Sequence, residues 1–140
     1  MRYANVIGKN AHGVTRDFSR KLQANPRELE ILGDGTQTKS YLHVSDCVSA
    51  TLLAAEKTTG ASAFNAGSED WLNVKKIADI VSQEMNLSNV NYKFTGKAAW
   101  VGDVKLMRLS VEKLKSFGWA PRMNSEQAVR FAVKEMLENQ

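Results

Sequence analysis

Residues 33–45 read Gly-Asp-Gly-Thr-Gln-Thr-Lys-Ser-Tyr-Leu-His-Val-Ser, and this stretch decides the fold of the chain. Gly33 and Gly35 flank an aspartate, which predicts a tight turn because glycine adopts positive φ angles without steric cost. Residues 38–44 are rich in β-branched and aromatic side chains and predict a strand.

Alternation along that strand places Lys39 and Tyr41 on one face and Leu42 and Val44 on the other. A cation beside a phenol suits an anionic ligand that carries a ring. The alternative is an edge strand on which both side chains are simply solvated.

A helix is predicted directly after the strand. Ser45 or Asp46 can cap its first turn, and Val48, Leu52 and Ala55 recur along one side.

The composition is that of an ordinary globular domain. The 140 residues are 43% hydrophobic and 24% charged, with two prolines, so we expect one α/β or α+β domain over residues 1–140. No stretch approaches the roughly 20 apolar residues of a membrane helix, and the N-terminus lacks the long apolar segment of a signal peptide. Cys47 is the single cysteine, and these features predict a cytoplasmic protein without an internal disulfide. Cys47 itself is expected to be a small, partly buried residue rather than a reactive thiolate.

The net charge of +4 and the pI of about 9.3 raise the question of nucleic-acid binding. The basic residues are scattered among apolar and acidic positions, with no run of five. They predict solvated helix faces, and a nucleic-acid partner is not favoured.

The rest of the chain predicts about five helices and five short strands. Strands are expected at 2–7, 29–32, 38–44, 63–66 and 90–94, and residues 96–105 are expected to be a loop. Asn73, Ser110 and Ser125 are the expected caps of the last three helices.

Five segments resemble one family when taken in order. Residues 2–8 resemble the Arg-x-x-Asn-x-x-Gly segment of the extended short-chain dehydrogenases that act on nucleotide sugars. Residues 33–46 resemble the family's Gly-Asp-Gly-x-Gln-x-Arg-Asp-Tyr-x-x-Val-x-Asp segment, and 64–68 its Phe-Asn-x-Gly-Ser/Thr turn. Residues 102–103 and 115–121 match its Gly-Asp and Lys-x-x-Gly-Trp-x-Pro landmarks. The resemblance is greatest to the UDP-glucose 4-epimerase and nucleotide-sugar dehydratase group.

This resemblance implies the C-terminal, substrate-binding part of a Rossmann-type enzyme that uses NAD. The family's Gly-x-x-Gly-x-x-Gly loop, which brings backbone amides to the pyrophosphate of NAD, is absent. Its catalytic Tyr-x-x-x-Lys is absent too, because Tyr3, Tyr41 and Tyr92 are not followed by lysine four residues later. We therefore expect a catalytically incomplete chain that does not bind NAD tightly alone, and we assign no catalytic or metal-binding residue.

The resemblance also implies ligand contacts. Asn5 would bond the diphosphate or sugar, Lys39 and His12 the phosphates, Tyr41 would pack beside the nucleotide, and Asp103 would accept from a ribose hydroxyl. The alternatives are that Asn5 satisfies local backbone, that Asp103 forms a turn and that His12 is solvated.

Three departures from the family pattern concern phosphate binding. Lys39 replaces an arginine, so a mobile point charge replaces a forked donor. Residues 8–10 read Gly-Lys-Asn where the family often has Gly-Pro-Arg, and residues 98–100 read Ala-Ala-Trp where an arginine is common.

Three functions are consistent with these observations: a nucleotide-sugar-binding domain, a stand-alone interaction module and a basic nucleic-acid binder. The strand at 2–7 would also expose an unprotected edge, which predicts self-association or pairing with a complementary N-terminal domain.

Overall fold

The computed structural model describes residues 1–10, 12–96 and 106–138, which form helices joined by short strands. The helices are α1 (Val14–Ala24), α2 (Val44–Lys57), α3 (Val74–Glu84), α4 (Glu112–Lys115) and α5 (Ser125–Glu138). The strands are β1 (Arg2–Tyr3), β2 (Asn5–Ile7), β3 (Glu28–Ile31), β4 (Thr38–Lys39), β5 (Tyr41–His43), β6 (Asn65–Ala66), β7 (Leu72–Asn73), β8 (Asn91–Phe94) and β9 (Leu106–Met107). This arrangement confirms the predicted α/β class with about five helices.

Most strand pairs are parallel, as expected where helices supply the crossover connections. β1 pairs with β6, β2 with β5 and β3 with β8, while β4 lies between antiparallel β7 and parallel β9. Among the described residues, β1 and β2 each have a strand partner on one side. No described strand pairs with their opposite edge.

Two apolar clusters form the core. In the larger one, α1, α3 and α5 pack over β3 and β5, with Leu22, Ile77 and Val133 fully buried. The smaller one joins α2 and α4 through small residues of α2, Phe64 and Trp119. Within the described ranges, no helix is both long enough and apolar enough to cross a bilayer.

The two strands predicted at 2–7 and 38–44 are each interrupted. The strand expected at 2–7 breaks at buried Ala4, whose N–H donates to the Ala66 carbonyl, so β1 and β2 join different partners. The strand expected at 38–44 breaks at Ser40, because its hydroxyl donates to the Ser68 carbonyl at 2.8 Å. Two further short strands, β7 and β9, were not predicted.

The predicted apolar face of the second helix is wrong. Val48 and Leu52 are 52% and 66% exposed, whereas Ala50 and Ala54 are buried. The physical reason is Asp46, which is fully buried and fixes the rotation of α2, so that positions 46, 50 and 54 face the core.

The predicted caps are correct for one helix in four. Asn73 caps α3 as expected, since its side chain accepts from the Lys76 N–H at 2.8 Å. His43, not Ser45 or Asp46, caps α2. Ser110 does not cap α4, which begins after Val111 without a side-chain cap.

Ser125 is the first residue of α5 rather than its cap. The side chain of Asn124 accepts from the Gln127 N–H at 2.8 Å, and the Gln127 side chain accepts from the Asn124 N–H at 3.0 Å. This reciprocal pair is a capping box, so Asn124 takes the role that the sequence assigned to Ser125.

Candidate functional site

The predicted turn at residues 33–35 is present and locally stabilised. Gly33 and Gly35 have φ angles of 85° and 78°. Asp34 Oδ1 accepts hydrogen bonds from the Thr36 N–H at 2.9 Å and from the Thr36 hydroxyl at 2.6 Å. Glycine is required on both sides because other residues avoid this left-handed region.

A cavity of about 410 Å³ lies between β2, the start of α1 and the β4–β5 stretch. Its wall includes four of the five predicted ligand-binding residues, namely Asn5, His12, Lys39 and Tyr41. The fifth, Asp103, lies outside the described residues, as does most of the loop predicted at 96–105. The cavity thus brings together residues that lie far apart in the sequence.

The apolar part of the cavity wall comes from several elements. It is contributed by Val6, Ile7, Val14, Phe18, Leu32 and Val74. A largely apolar concave surface with a few polar groups is typical of small-molecule sites.

Lys39 is half-buried and belongs to β4, the central strand of its three-stranded sheet. The alternative of a solvated edge strand therefore does not describe this position. A partly desolvated ammonium interacts more strongly with an anion than one in bulk water.

Tyr41 lines the cavity and also packs in the core. It is 6% exposed and packs within the larger apolar cluster. Its backbone N–H donates to the Ser125 hydroxyl at 3.0 Å, which ties β5 to the start of α5. Truncating this side chain would consequently disturb the core as well as the cavity.

Asn5 and His12 differ in how firmly they are held. The Asn5 side-chain amide donates at 3.1 Å to the carbonyl of Ser40, which is 35 residues away, so its partner is not the local backbone of its own loop. His12 is exposed, at the rim of the cavity just before α1.

A serine and aspartate network supports the strand that carries Lys39 and Tyr41. Ser68 N–H donates to the Ser40 hydroxyl at 3.1 Å, and the Ser68 hydroxyl donates to Asp70. Asp70 in turn accepts from the Ser125 N–H at 2.9 Å. These bonds fix the short segment between β4 and β5.

Asp46 joins α2 to the chain segment that directly precedes α5. Its carboxylate accepts from the backbone N–H groups of Arg122 and Met123 at 3.0 and 3.3 Å, and from Arg122 Nε at 2.9 Å. The sequence suggested a cap at this position, and it gave no sign of this long-range role because the partners lie more than 70 residues away.

The thiol of Cys47 is not activated. Burial raises its pKa above the usual 9.0, and a hydrogen bond with Tyr3 lowers it by a smaller amount. This agrees with the expected role as a small, partly buried residue.

Gln37 lines the same cavity and is 6% exposed, and it was not among the site residues predicted from the sequence. The signal that could have found it is alternation. Positions 37, 39 and 41 share one face of an extended strand, and all three residues line the cavity.

Helix N-termini are the usual sites for the pyrophosphate of a dinucleotide cofactor. The first turns of α2 and α3 are capped by the side chains of His43 and Asn73, which occupy N–H groups that such a ligand would need. Gly13 precedes α1 without a side-chain cap, but the three spaced glycines of a dinucleotide loop are missing there.

Comparison with solved structures identifies the class of fold. In a crystal structure of UDP-galactose 4-epimerase, 44% of the chain corresponds to 99% of this one, with 39% identity and a TM-score of 0.84. A UDP-glucose 4-epimerase from Thermotoga maritima, solved with UDP-glucose, is 27% identical with a TM-score of 0.80, over 99% of this chain and 45% of that one. The fold is therefore that of part of a Rossmann-type epimerase.

The family follows from the sequence comparisons. Residues 1–67 match the NAD dependent epimerase/dehydratase family. GDP-mannose 3,5-epimerase from Arabidopsis thaliana is 29% identical over 88% of this chain and 32% of that protein. Together these matches support a fragment of an NAD-dependent epimerase/dehydratase, which confirms the predicted resemblance. It spans less than half the length of the curated relatives it matches.

Proposed function

We propose that the cavity binds the nucleoside-diphosphate part of a nucleotide sugar, and that the chain is the C-terminal, substrate-binding part of an NAD-dependent sugar epimerase or dehydratase. One observation carries this proposal. Four residues that the family resemblance implicated line one cavity, although they lie at positions 5, 12, 39 and 41.

The electrostatics of the cavity suit a diphosphate. The half-buried Lys39 supplies a positive charge, and the α1 N-terminus lines the cavity through Gly13, Val14 and Thr15 without a side-chain cap. Uncapped N–H groups and the positive end of the helix dipole favour anions. Asp17 also lines the wall, but it is paired with Lys21 at 2.9 Å, which reduces its repulsion of a phosphate.

The proposal predicts no turnover by the chain alone. The sequence lacks the family's glycine loop and Tyr-x-x-x-Lys pair, so we expect neither tight NAD binding nor the family's proton transfer from the sugar hydroxyl. Purified chain with added NAD should not epimerise UDP-glucose. Turnover in a preparation freed of host epimerase would contradict this expectation.

Calorimetry separates the proposal from its two alternatives. UDP-glucose and a short DNA duplex should each be titrated into the chain at about 50 and 200 mM salt. A nucleotide-sugar domain binds UDP-glucose in both buffers, whereas a nucleic-acid binder binds the duplex with an affinity that falls steeply with salt. Binding of neither ligand would leave the interaction module as the better description.

We also propose a surface through which this chain associates with another polypeptide. Tyr3, Val44, Val48 and Leu52 are all between 38% and 66% exposed, and we name them the α2–edge surface. The Tyr3 hydroxyl lies 2.7 Å from Thr51 Oγ1, so the open edge of β1 is continuous with this side of α2. Exposed apolar side chains beside an open strand edge favour pairing with another chain.

We propose that a second copy covers the α2–edge surface when the chain is alone. Sedimentation should show dimers that increase with concentration, and Leu52→Lys should shift the equilibrium to monomer. Leu106→Lys is the matched control, because Leu106 is 52% exposed but lies on β9 outside the surface. A strict monomer from micromolar to millimolar concentration would contradict self-association.

A further inference from the structure

A second cavity, of about 280 Å³, is separate from the proposed nucleotide-sugar cavity, and the two share no lining residue among those described. Lys39 lines the first cavity and its neighbour Ser40 lines the second, as expected where successive side chains point to opposite faces. Trp71 and Arg108 also line the second cavity, and we name it the Trp71–Arg108 cleft. The proposed function makes no use of it.

Arg108 brings a positive charge to this cleft. Its guanidinium carbon lies over the Trp71 ring, 3.8 Å from the ring centroid, which is within the range of a cation–π contact. Among the described residues, none accepts a hydrogen bond from Arg108 or forms an ion pair with it. The indole therefore holds a charged, forked donor whose N–H groups can bind a ligand.

The charge of the cleft indicates which anion Arg108 can bind. The planar guanidinium matches a carboxylate or a phosphate with two parallel hydrogen bonds. Three acidic residues line the same cleft, namely Glu69, Asp70 and Glu112. They would repel a phosphate monoester, which carries close to two negative charges at neutral pH, more strongly than a carboxylate.

The acidic residues also leave a negative charge for the ligand to balance. Lys115 Nζ lies 2.9 Å from Glu69 Oε1 and 3.3 Å from Glu112 Oε1, so one ammonium group serves two carboxylates. Asp70 differs from them, because it already accepts hydrogen bonds from the Ser125 N–H and the Ser68 hydroxyl. A ligand that carries an ammonium group beside its carboxylate matches both the excess negative charge and Arg108.

We propose that the Trp71–Arg108 cleft binds the zwitterionic head of a free α-amino acid, with the carboxylate on Arg108 and the ammonium on Glu69 and Glu112. The size of the cleft agrees with this ligand, because sites for larger, drug-sized molecules usually span about 300–1,000 Å³. Trp71 is 43% exposed and offers an apolar surface to the ligand's side chain. This site is independent of nucleotide-sugar binding.

The test titrates isotope-labelled chain with glycine, L-leucine, L-phenylalanine, L-glutamate and L-lysine in turn. At least one of them should give saturable NMR shifts at the amides of Ser40, Ser68 and Arg108 and at the Trp71 indole. Acetate and methylammonium, which each carry one of the two charged groups, should bind about tenfold more weakly. The absence of saturable shifts at these residues with all five amino acids at tens of millimolar would overturn the proposal.

Two variants assign the charged groups, with thermal melts as folding controls. Arg108→Gln removes the charged fork and should weaken binding of the best amino acid about tenfold or more. Arg27→Gln is the matched control, because Arg27 is exposed and lines neither cavity, and it should bind as the unchanged chain does. Glu112→Gln should weaken binding of the amino acid but not of acetate. Unchanged amino-acid affinity in Arg108→Gln and Glu112→Gln would overturn the proposal.

A titration with UDP-glucose separates this proposal from the proposed function. Arg108→Gln should bind UDP-glucose with the affinity of the unchanged chain, because Arg108 does not line the first cavity. A parallel loss of UDP-glucose and amino-acid binding in this variant would contradict two independent sites. Binding of an amino acid by a chain that fails to bind UDP-glucose would support this proposal and overturn the proposed function alone.

Discussion

Replacing Lys39 tests whether the cavity binds phosphate. Lys39 is the cationic side chain in the cavity wall, and it is half-buried on the central strand of its sheet. Lys39→Ala removes the charge, whereas Lys39→Arg keeps it and restores the forked donor that is usual in the family. Binding of UDP-glucose to the three chains is measured by calorimetry, with a thermal melt of each as the folding control.

The expected magnitude follows from the burial of Lys39. A hydrogen bond to a charged group contributes about 1–3 kcal/mol, which is about 5- to 150-fold in Kd. Because Lys39 is half-buried rather than enclosed, water can partly replace its bond, and we expect the lower half of this range. Lys39→Arg should bind as tightly as the unchanged chain or more tightly.

A control substitution distinguishes a direct contact between Lys39 and the ligand from an effect of the net charge on binding. Lys57→Ala makes the same change in net charge at the end of α2, where Lys57 pairs with Glu56. It should leave the Kd unchanged at moderate salt. Unchanged binding by Lys39→Ala, with an intact melt, would refute the assignment of Lys39 to the phosphates.

Two further predictions concern stability. Asp46→Ala should lower the free energy of unfolding by about 2–4 kcal/mol, because two partly buried N–H groups lose their acceptor, and Asp46→Asn should cost less. Urea titration measures both, and equal stability of the three chains would contradict the anchoring role. A hydrogen bond from Arg130 lowers the pKa of Glu126 below its usual 4.5, so its contribution is present above pH 4.5 and is lost as the pH falls through the lowered pKa. The stability difference between the unchanged chain and Glu126→Gln should therefore shrink toward zero in acid, and a difference independent of pH would contradict the assignment.

The fold class and most of the cavity could be predicted from the sequence because they depend on local signals. The two glycines around Asp34 specify their turn without distant partners. α1 ends at Ala24, directly before Asn25 and Pro26, since a residue before proline disfavours helix. Family motifs then identified Lys39 and Tyr41 as ligand candidates, and the cavity contains both.

The features that could not be predicted from the sequence depend on contacts between residues that lie far apart along the chain. Nothing near Asp46 indicates that its carboxylate bonds the chain at 122 and 123, and this bond rotates α2 so that Val48 and Leu52 face outward. Ser40 interrupts its strand because of Ser68, which lies 28 residues away. Tyr41 was expected to face an open site, yet it is mostly buried in the core, because one side of β5 packs against α5.

The most direct test of the account is to locate the ligand on the chain. A titration of isotope-labelled chain with UDP-glucose, followed by amide NMR shifts, reports both the affinity and the position of binding. The account predicts saturable shifts at β2, at the first turn of α1 and along residues 33–43, with small changes on the exposed side of α5. Shifts that do not saturate at millimolar ligand, or saturable shifts confined to another surface, would contradict it.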